Sequence, residues 1–291
     1  VDALYDGFEG LYAPDVFSLD NKRWAIPFYG DTQLLFYRKD RIPKLPEPLS
    51  LQELETLASE LTTGDSLGLG WNLFSVYWFA PFQIGFGKES ILEPDGSVKI
   101  QDSATAQALA FLKTWVDRQI AIPLERDAMV SMFTSGKLAM ILSGSYSIPS
   151  FEELGIPFGI TSYPYNAETG RWISPMLDFK GFGITRKTRE PVLAMALLEY
   201  LTGPGAQTAF CIPVNKIPVN REVLGDQLET GGEVYQLYKH ALDVGTYVPA
   251  YNAYDLYKNT LWKLLRFVFL DQMSIPEVLE KGQQIIDANV P

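Results

Sequence analysis

The sequence predicts an α/β protein with mainly parallel sheets. Short continuous apolar runs, Leu34-Leu35-Phe36-Tyr37 and Leu138 to Leu142, mark strands buried on both faces. Segments with a 3.6-residue apolar period alternate with them, as in βαβ organisation. The chain has 291 residues, 47% of them apolar, which suffices for a sizeable core and about two domains.

Taken in order, Trp24-Ala25-Ile26 reads as one strand and Leu34 to Tyr37 as another, with Pro27 to Asp31 as a break between them. Ser50 opens a helix with Glu53 three residues on, a capping box, and Leu51, Leu54, Leu57 and Leu61 form its apolar stripe. A short strand running into Trp71 and a helix from Val76 follow. Residues 103–119 read as a helix capped by Ser103, and residues 127–134 as a short helix. That helix breaks at Ser135-Gly136, leads into the apolar run 138–142, and ends in Ser143-Gly144-Ser145 with Tyr146 just beyond. Gly159 to Thr161 and Lys180 to Thr185 read as strands, with Asp178 preceding the second. The remainder reads as helix over 190–202, 206–210, 233–243, 254–271 and 274–289, the last with Ser274 and Glu277 as a capping box. No internal repeat or flexible linker interrupts the pattern. Two lobes joined by crossing strands fit it better than two separate beads.

Composition narrows the function. A net charge of −11 repels phosphate backbones and anionic membrane surfaces, so nucleic acid is not an expected partner. One cysteine, Cys211, excludes an internal disulfide and a Cys-rich metal site, and its apolar neighbours point to a buried structural thiol. One histidine, His240, rules out His-pair zinc motifs. It allows a serine triad only with itself as base, and no G-x-S-x-G elbow accompanies it. Neither a phosphate-binding loop nor a dinucleotide fingerprint is present. No catalytic residue, metal or cofactor is therefore expected. No run of 18 apolar residues marks a membrane span.

The informative residues are aromatics and acids at the ends of elements. They are Asp31, Trp71, Tyr77, Tyr146, Asp178, and Tyr251, Tyr254 and Tyr257 where the Pro249 loop enters a helix. In α/β sheets ligands bind beyond the carboxyl ends of strands. Flat aromatic faces with a few carboxylates suit a sugar, which stacks its C–H face and donates its hydroxyls. Taken singly, each of these residues also fits a structural part: aromatics after strands often pack, and Asp31 fits a turn or helix cap.

Three stretches resemble extracellular solute-binding proteins of the maltose-binding-protein-like class, which serve ABC importers. MFTSGKLAMILSGSY resembles the motif F-x-x-G-x-x-A-M-x-x-x-G-x-[WY]. LLEYLTGPGAQTAFCIPVNKIPVNREVL resembles a stretch in which Gln207 and Pro218 are in place. IPFYGDTQLLFYRKD resembles a hinge-crossing segment. The likeness runs in order along essentially the whole chain.

The resemblance implies a two-lobed, type II periplasmic-binding-protein-like fold with a sugar, an oligosaccharide, bound in a cleft that closes by a hinge. It implies lobe I from residues 1–29 plus 181–224 and lobe II from 30–180 plus 225–291. Tyr146 takes the place of a sugar-stacking aromatic and Asp31 that of a hydroxyl-binding carboxylate. Residues Trp71 to Tyr77 match a ligand loop, although Phe74 stands near the expected acid. One of Tyr251, Tyr254 and Tyr257 matches a second stacking ring, and Asp178 lies beside the cleft. The implied protein is a monomeric, non-enzymatic receptor, periplasmic or extracellular, free or lipid-anchored, that hands its sugar to a membrane permease. Family members begin with further strands and helices, so an N-terminal segment is expected to be missing here. Two other readings stand beside this one: a polyamine or other cation caged by aromatics, and a carbohydrate-active hydrolase using two of these carboxylates.

Overall fold

The computed structural model describes residues 7–8, 10–19, 22–249 and 252–289. In chain order it forms β1 (Ser18–Leu19), β2 (Lys22–Arg23), β3 (Ile26–Arg38), α1 (Leu51–Leu61), β4 (Leu67–Trp71), α2 (Val76–Gly85) and α3 (Ser103–Asp117). Next come β5 (Ala121–Pro123), α4 (Arg126–Thr134), β6 (Leu138–Gly144), α5 (Ile148–Glu153), β7 (Phe158–Thr161), β8 (Tyr165–Asn166), β9 (Arg171–Trp172) and β10 (Met176–Phe182). The last part holds α6 (Pro191–Thr202), α7 (Pro204–Cys211), β11 (Ile217–Pro218), α8 (Arg221–Thr230), α9 (Glu233–Val244), β12 (Thr246–Tyr247), α10 (Asn252–Phe269) and α11 (Ile275–Asp287).

These elements gather into two compact units. The first holds residues 1–32, 144–152 and 177–250; the second holds 33–143, 153–176 and 251–291. Among the described residues the backbone passes between them at 32/33, 143/144, 152/153 and 176/177. The expected partition differs from this one at residues 30–32, 144–152, 177–180 and 225–250, which all fall in the first unit.

In the first unit the opening half of β3 lies between β10, with β12 beyond it, and β11. Both β10 and β11 run antiparallel to β3. Gln207 of α7 locks this sheet to the helices. Its amide donates to the Phe28 and Leu201 carbonyls at 2.9 and 3.1 Å, and its carbonyl accepts from the Val219 N–H at 2.8 Å. Each polar end of this fully buried side chain is thereby satisfied, as burial requires. Cys211 is buried nearby, and loss of water pushes its thiol up to about 12, the state of an inert structural thiol. On α6, Val192, Leu193, Leu197 and Tyr200 face solvent.

In the second unit the closing half of β3 is flanked by antiparallel β7 and by β6, followed by β4 and β5. β4 pairs in parallel with β5 and with β6, whereas β7 runs antiparallel to β3, so the sheet is mixed. β6 is buried at every residue, as its apolar run predicts. Helices α10 and α11 pack on α3, and α10 also on α2.

Several local expectations needed correction. The two strands expected around Pro27–Asp31 are one 13-residue strand, β3. The Pro27 position coincides with a register shift opposite Lys180/Gly181, which accommodates the missing N–H without ending the strand. Asp178 lies within β10 rather than before a strand. The cap of α3 is Asp102, whose carboxylate accepts the Thr105 N–H at 2.7 Å, and Ser103 is the first helical residue. Both capping boxes, Ser50–Glu53 and Ser274–Glu277, form.

Candidate functional site

The motif around residues 132–146 builds one side of the candidate site. Helix α4 ends with the Gly136 N–H bonded to the Phe133 carbonyl and the Lys137 N–H to the Met132 carbonyl. Gly136 takes φ +78°, which completes a Schellman stop. The Arg38 guanidinium supports the same helix end through the Phe133 and Thr134 carbonyls, both at 3.2 Å. β6 then leads into a single 3-10 turn, Ser145–Ser147. A methyl group on Gly144 would sit 2.1 Å from Tyr146 Cε1, so the half-buried ring rests against bare glycine backbone.

Beside it, β3 carries Asp31, buried at 6% exposure. In the β10 register Asp178 stands directly opposite Asp31. On the other flank Ile217 pairs with Gly30 and Pro218 with Tyr29, which brings Lys216 opposite Asp31. Cross-strand partners share a face of the sheet. Two like charges side by side would repel, and two lysines offset them. Lys216 Nζ lies 2.8 Å from both oxygens of Asp31, and Lys180 Nζ lies 2.5 Å from Asp178 Oδ2. The row therefore sums to zero, two carboxylates against two ammoniums. Ser145 Oγ donates to Asp31 Oδ1 at 2.8 Å and accepts the Thr32 N–H at 3.1 Å. Lys216 Nζ also lies 5.2 Å from the Tyr29 ring centre, a cation–π contact. Burial, then the Asp31 charge, raises the Tyr29 phenol above its ordinary value.

The backbone that presents Lys216 is held from behind. Asn215 adopts a left-handed φ of +52°. The Tyr238 hydroxyl donates to its carbonyl, and the Tyr235 hydroxyl donates to the Lys216 carbonyl at 3.2 Å. Desolvation drives both phenols well above the ordinary range, so both remain donors.

The predicted residues divide between the two units. In the first unit Asp31, Asp178 and Tyr146 come together around Ser145 and Lys216. In the second unit Trp71 has no exposed surface: its ring stacks on Phe82 at 5.6 Å and meets Trp115 edge-on at 6.1 Å. Tyr257 is fully buried, donates to Gln83 Oε1, and stacks on the buried Tyr254 ring at 5.8 Å. Gln83 in turn donates to Thr105 Oγ1 at 2.7 Å. These three rings are core. Tyr77 is half-buried, edge-on to Trp78, and its carbonyl accepts from Gln33 at 2.7 Å. Phe74 underlies the Arg266 guanidinium at 4.6 Å. Tyr251 lies outside the described residues.

Sequence reasoning missed Lys216, Ser145 and Tyr29. Ser145 was visible only as part of a small-residue loop. The pairing of Lys216 with Asp31 depends on strand register, which carries no local signal. Two surface hollows of about 470 and 350 Å³, lined by residues such as Pro46 and Thr56 and by Val98 and Gln283, contain no aromatic side chain and none of the predicted residues. Neither offers a flat face for stacking. Among the described residues no cluster of three or more His, Cys, Asp or Glu could hold a metal ion. No described helix is long and apolar enough to cross a membrane.

The family model for bacterial extracellular solute-binding proteins covers residues 3–234, and the chain belongs to that family. It is 23% identical over 219 residues to the galactooligosaccharide-binding protein of Bacillus subtilis (strain 168), covering 72% of this chain and 52% of that protein. It is 24% identical over 219 residues to the maltodextrin-binding protein MdxE of the same strain, covering 70% and 51%. The chain thus spans about half the length of these curated relatives. The maltotriose-binding protein of Thermus thermophilus superposes with a TM-score of 0.85 at 20% identity, over 100% of this chain and 79% of that one. The maltose/maltodextrin-binding domain MalE of Bdellovibrio bacteriovorus gives 0.84 at 24% identity, over 95% and 76%. The fold is therefore the two-lobed type II solute-binding fold. The family is periplasmic or extracellular and consists of binding proteins.

Proposed function

We propose that this chain is the ligand-capturing part of an ABC importer and that its ligand is a neutral oligosaccharide. The observation that carries the reading is the placement of Tyr146. Its ring is fixed against Gly144, one residue from the serine that holds Asp31. A rigid aromatic beside a carboxylate is the pair a sugar needs: a stacking face for C–H groups and an acceptor for hydroxyls. The proposed contacts are Tyr146, Asp31 and Asp178 of the first unit. The names of the relatives, which bind galacto-oligosaccharide, maltodextrin and maltotriose, support the ligand class.

The receptor works as a monomer outside the cytoplasm, delivers its ligand to a membrane permease and performs no chemistry on it. The zero-sum charge row speaks against a cation as the ligand, despite the net charge of −11. Calorimetric titration with maltotriose and with a galacto-oligosaccharide tests the reading. Saturable 1:1 binding of at least one sugar, weakened about tenfold (about 1.4 kcal/mol) by Tyr146→Ala, is expected. Release of shorter sugars over time would instead establish a hydrolase.

A further inference from the structure

Lys216 occupies both oxygens of the carboxylate proposed to receive sugar hydroxyls, although stacking does not require it. We propose that Lys216 determines the ligand class: by neutralising Asp31 in place, it restricts the site to uncharged hydroxylated ligands and excludes diamines and polyamines. The inference rests on the reading of Asp31 as a ligand contact, and not on which sugar binds.

Three features carry it. The first is the occupancy of the carboxylate. A carboxylate offers about four lone-pair sites. Ser145 and Lys216 take two on Oδ1, and Lys216 takes one on Oδ2. What remains on Oδ2 suits one neutral O–H donor, but the ion-pairing capacity is used. The second is the tethering of the ammonium. Lys216 is fixed through its N–H to the Cys211 carbonyl at 2.9 Å, through the Tyr235 hydroxyl, and by the adjacent β11 pairing. Its Nζ also rests over Tyr29. A free ammonium that displaced it would lose translational freedom the tethered one has already lost. The third is burial: side-chain exposures of 14% for Lys216 and 8% for Asp31 make each the other's necessary counter-charge. Without Lys216, the buried carboxylate and the overall charge of −11 would draw in a cation.

The test is titration of the full chain and of Lys216→Gln, Lys216→Arg and Asp31→Asn/Lys216→Gln with putrescine, spermidine and maltotriose, at about 0.15 M salt to screen diffuse attraction. Glutamine retains a donor to Asp31 while removing the charge. Lys216→Gln should bind putrescine or spermidine at least tenfold more tightly than the unmodified chain. Lys216→Arg should behave like the unmodified chain, and the double variant should lose the gain. A folded Lys216→Gln with no polyamine gain overturns the proposal. So does competition of putrescine with maltotriose on the unmodified chain, a measurement that needs no variant. If the unmodified chain ignores both maltotriose and a galacto-oligosaccharide while Lys216→Gln gains polyamine, the oligosaccharide reading falls and the role of Lys216 stands. Sugar binding without any polyamine gain in Lys216→Gln has the opposite meaning.

Discussion

The ring of Tyr146 fills the space that a side chain on Gly144 would take, with 2.1 Å between that methyl position and Cε1. Gly144 therefore sets where the ring points. Gly144→Ala should move the ring and weaken oligosaccharide binding about as much as Tyr146→Ala, roughly tenfold, while costing about 1–3 kcal/mol of stability through overpacking. Parallel calorimetry and urea denaturation check this. An unchanged affinity in a folded Gly144→Ala would separate the glycine from ligand capture.

Trp71 ends β4 and Tyr146 follows β6, yet of the two only Tyr146 retains solvent exposure. Among the described residues the Trp71 indole N–H has no hydrogen-bond partner, so Trp71→Phe sacrifices packing alone. Trp71→Phe should lower stability by about 1–3 kcal/mol and Trp71→Ala by about 3–5 kcal/mol. Sugar affinity in the folded Trp71→Phe should stay within about twofold of the original. Denaturant midpoints and a sugar titration on the same preparations check both parts.

Gln207 ties α7 to β3 and to the chain after β11 through its two amide ends. Truncation leaves the Val219 N–H and the Phe28 carbonyl without these partners inside the first unit. Gln207→Ala should cost about 2–4 kcal/mol, since buried polar groups left unmet cost 1–3 kcal/mol each and part of this is relieved by relaxation. Chemical denaturation measures it, and a cost below about 0.5 kcal/mol would contradict the role.

The Arg38 guanidinium holds the Asp40 carboxyl below its ordinary value of 3.8 by hydrogen bonds of 2.9 and 2.6 Å. The unfolded chain thus binds this proton at higher pH than the folded chain. The stabilisation is complete above the unfolded value and is lost as pH falls through the lower folded one. Asp40→Asn should therefore lower stability at neutral pH and converge with the original chain as pH falls through the lowered folded value. Equilibrium unfolding between neutral and acid pH follows the two curves.

Much of the fold was legible because its signals are local. The Ser50–Glu53 and Ser274–Glu277 boxes, the apolar β6 and the Gly136 stop each lie within a few residues of their cause. Nonlocal pairing was not legible. β3 reads as two strands because Pro27, Gly30 and Asp31 are strand breakers, and only the pairing with β10 and β11 holds it continuous. The site divides in the same way. Tyr146, Asp31 and Asp178 were visible as residue types at element ends, whereas Lys216 joins Asp31 across 185 positions of sequence. Trp71, Tyr254 and Tyr257 give the same local signal as Tyr146, but the helices packed over them make them core.

The measurement that bears most directly on this account is a thermal-shift series of the full chain with neutral oligosaccharides, putrescine and spermidine. A ligand at 100 times its dissociation constant adds about 2.7 kcal/mol to stability, a readily seen shift. Stabilisation by at least one oligosaccharide and by neither polyamine is expected. Stabilisation by a polyamine with every sugar silent would contradict it.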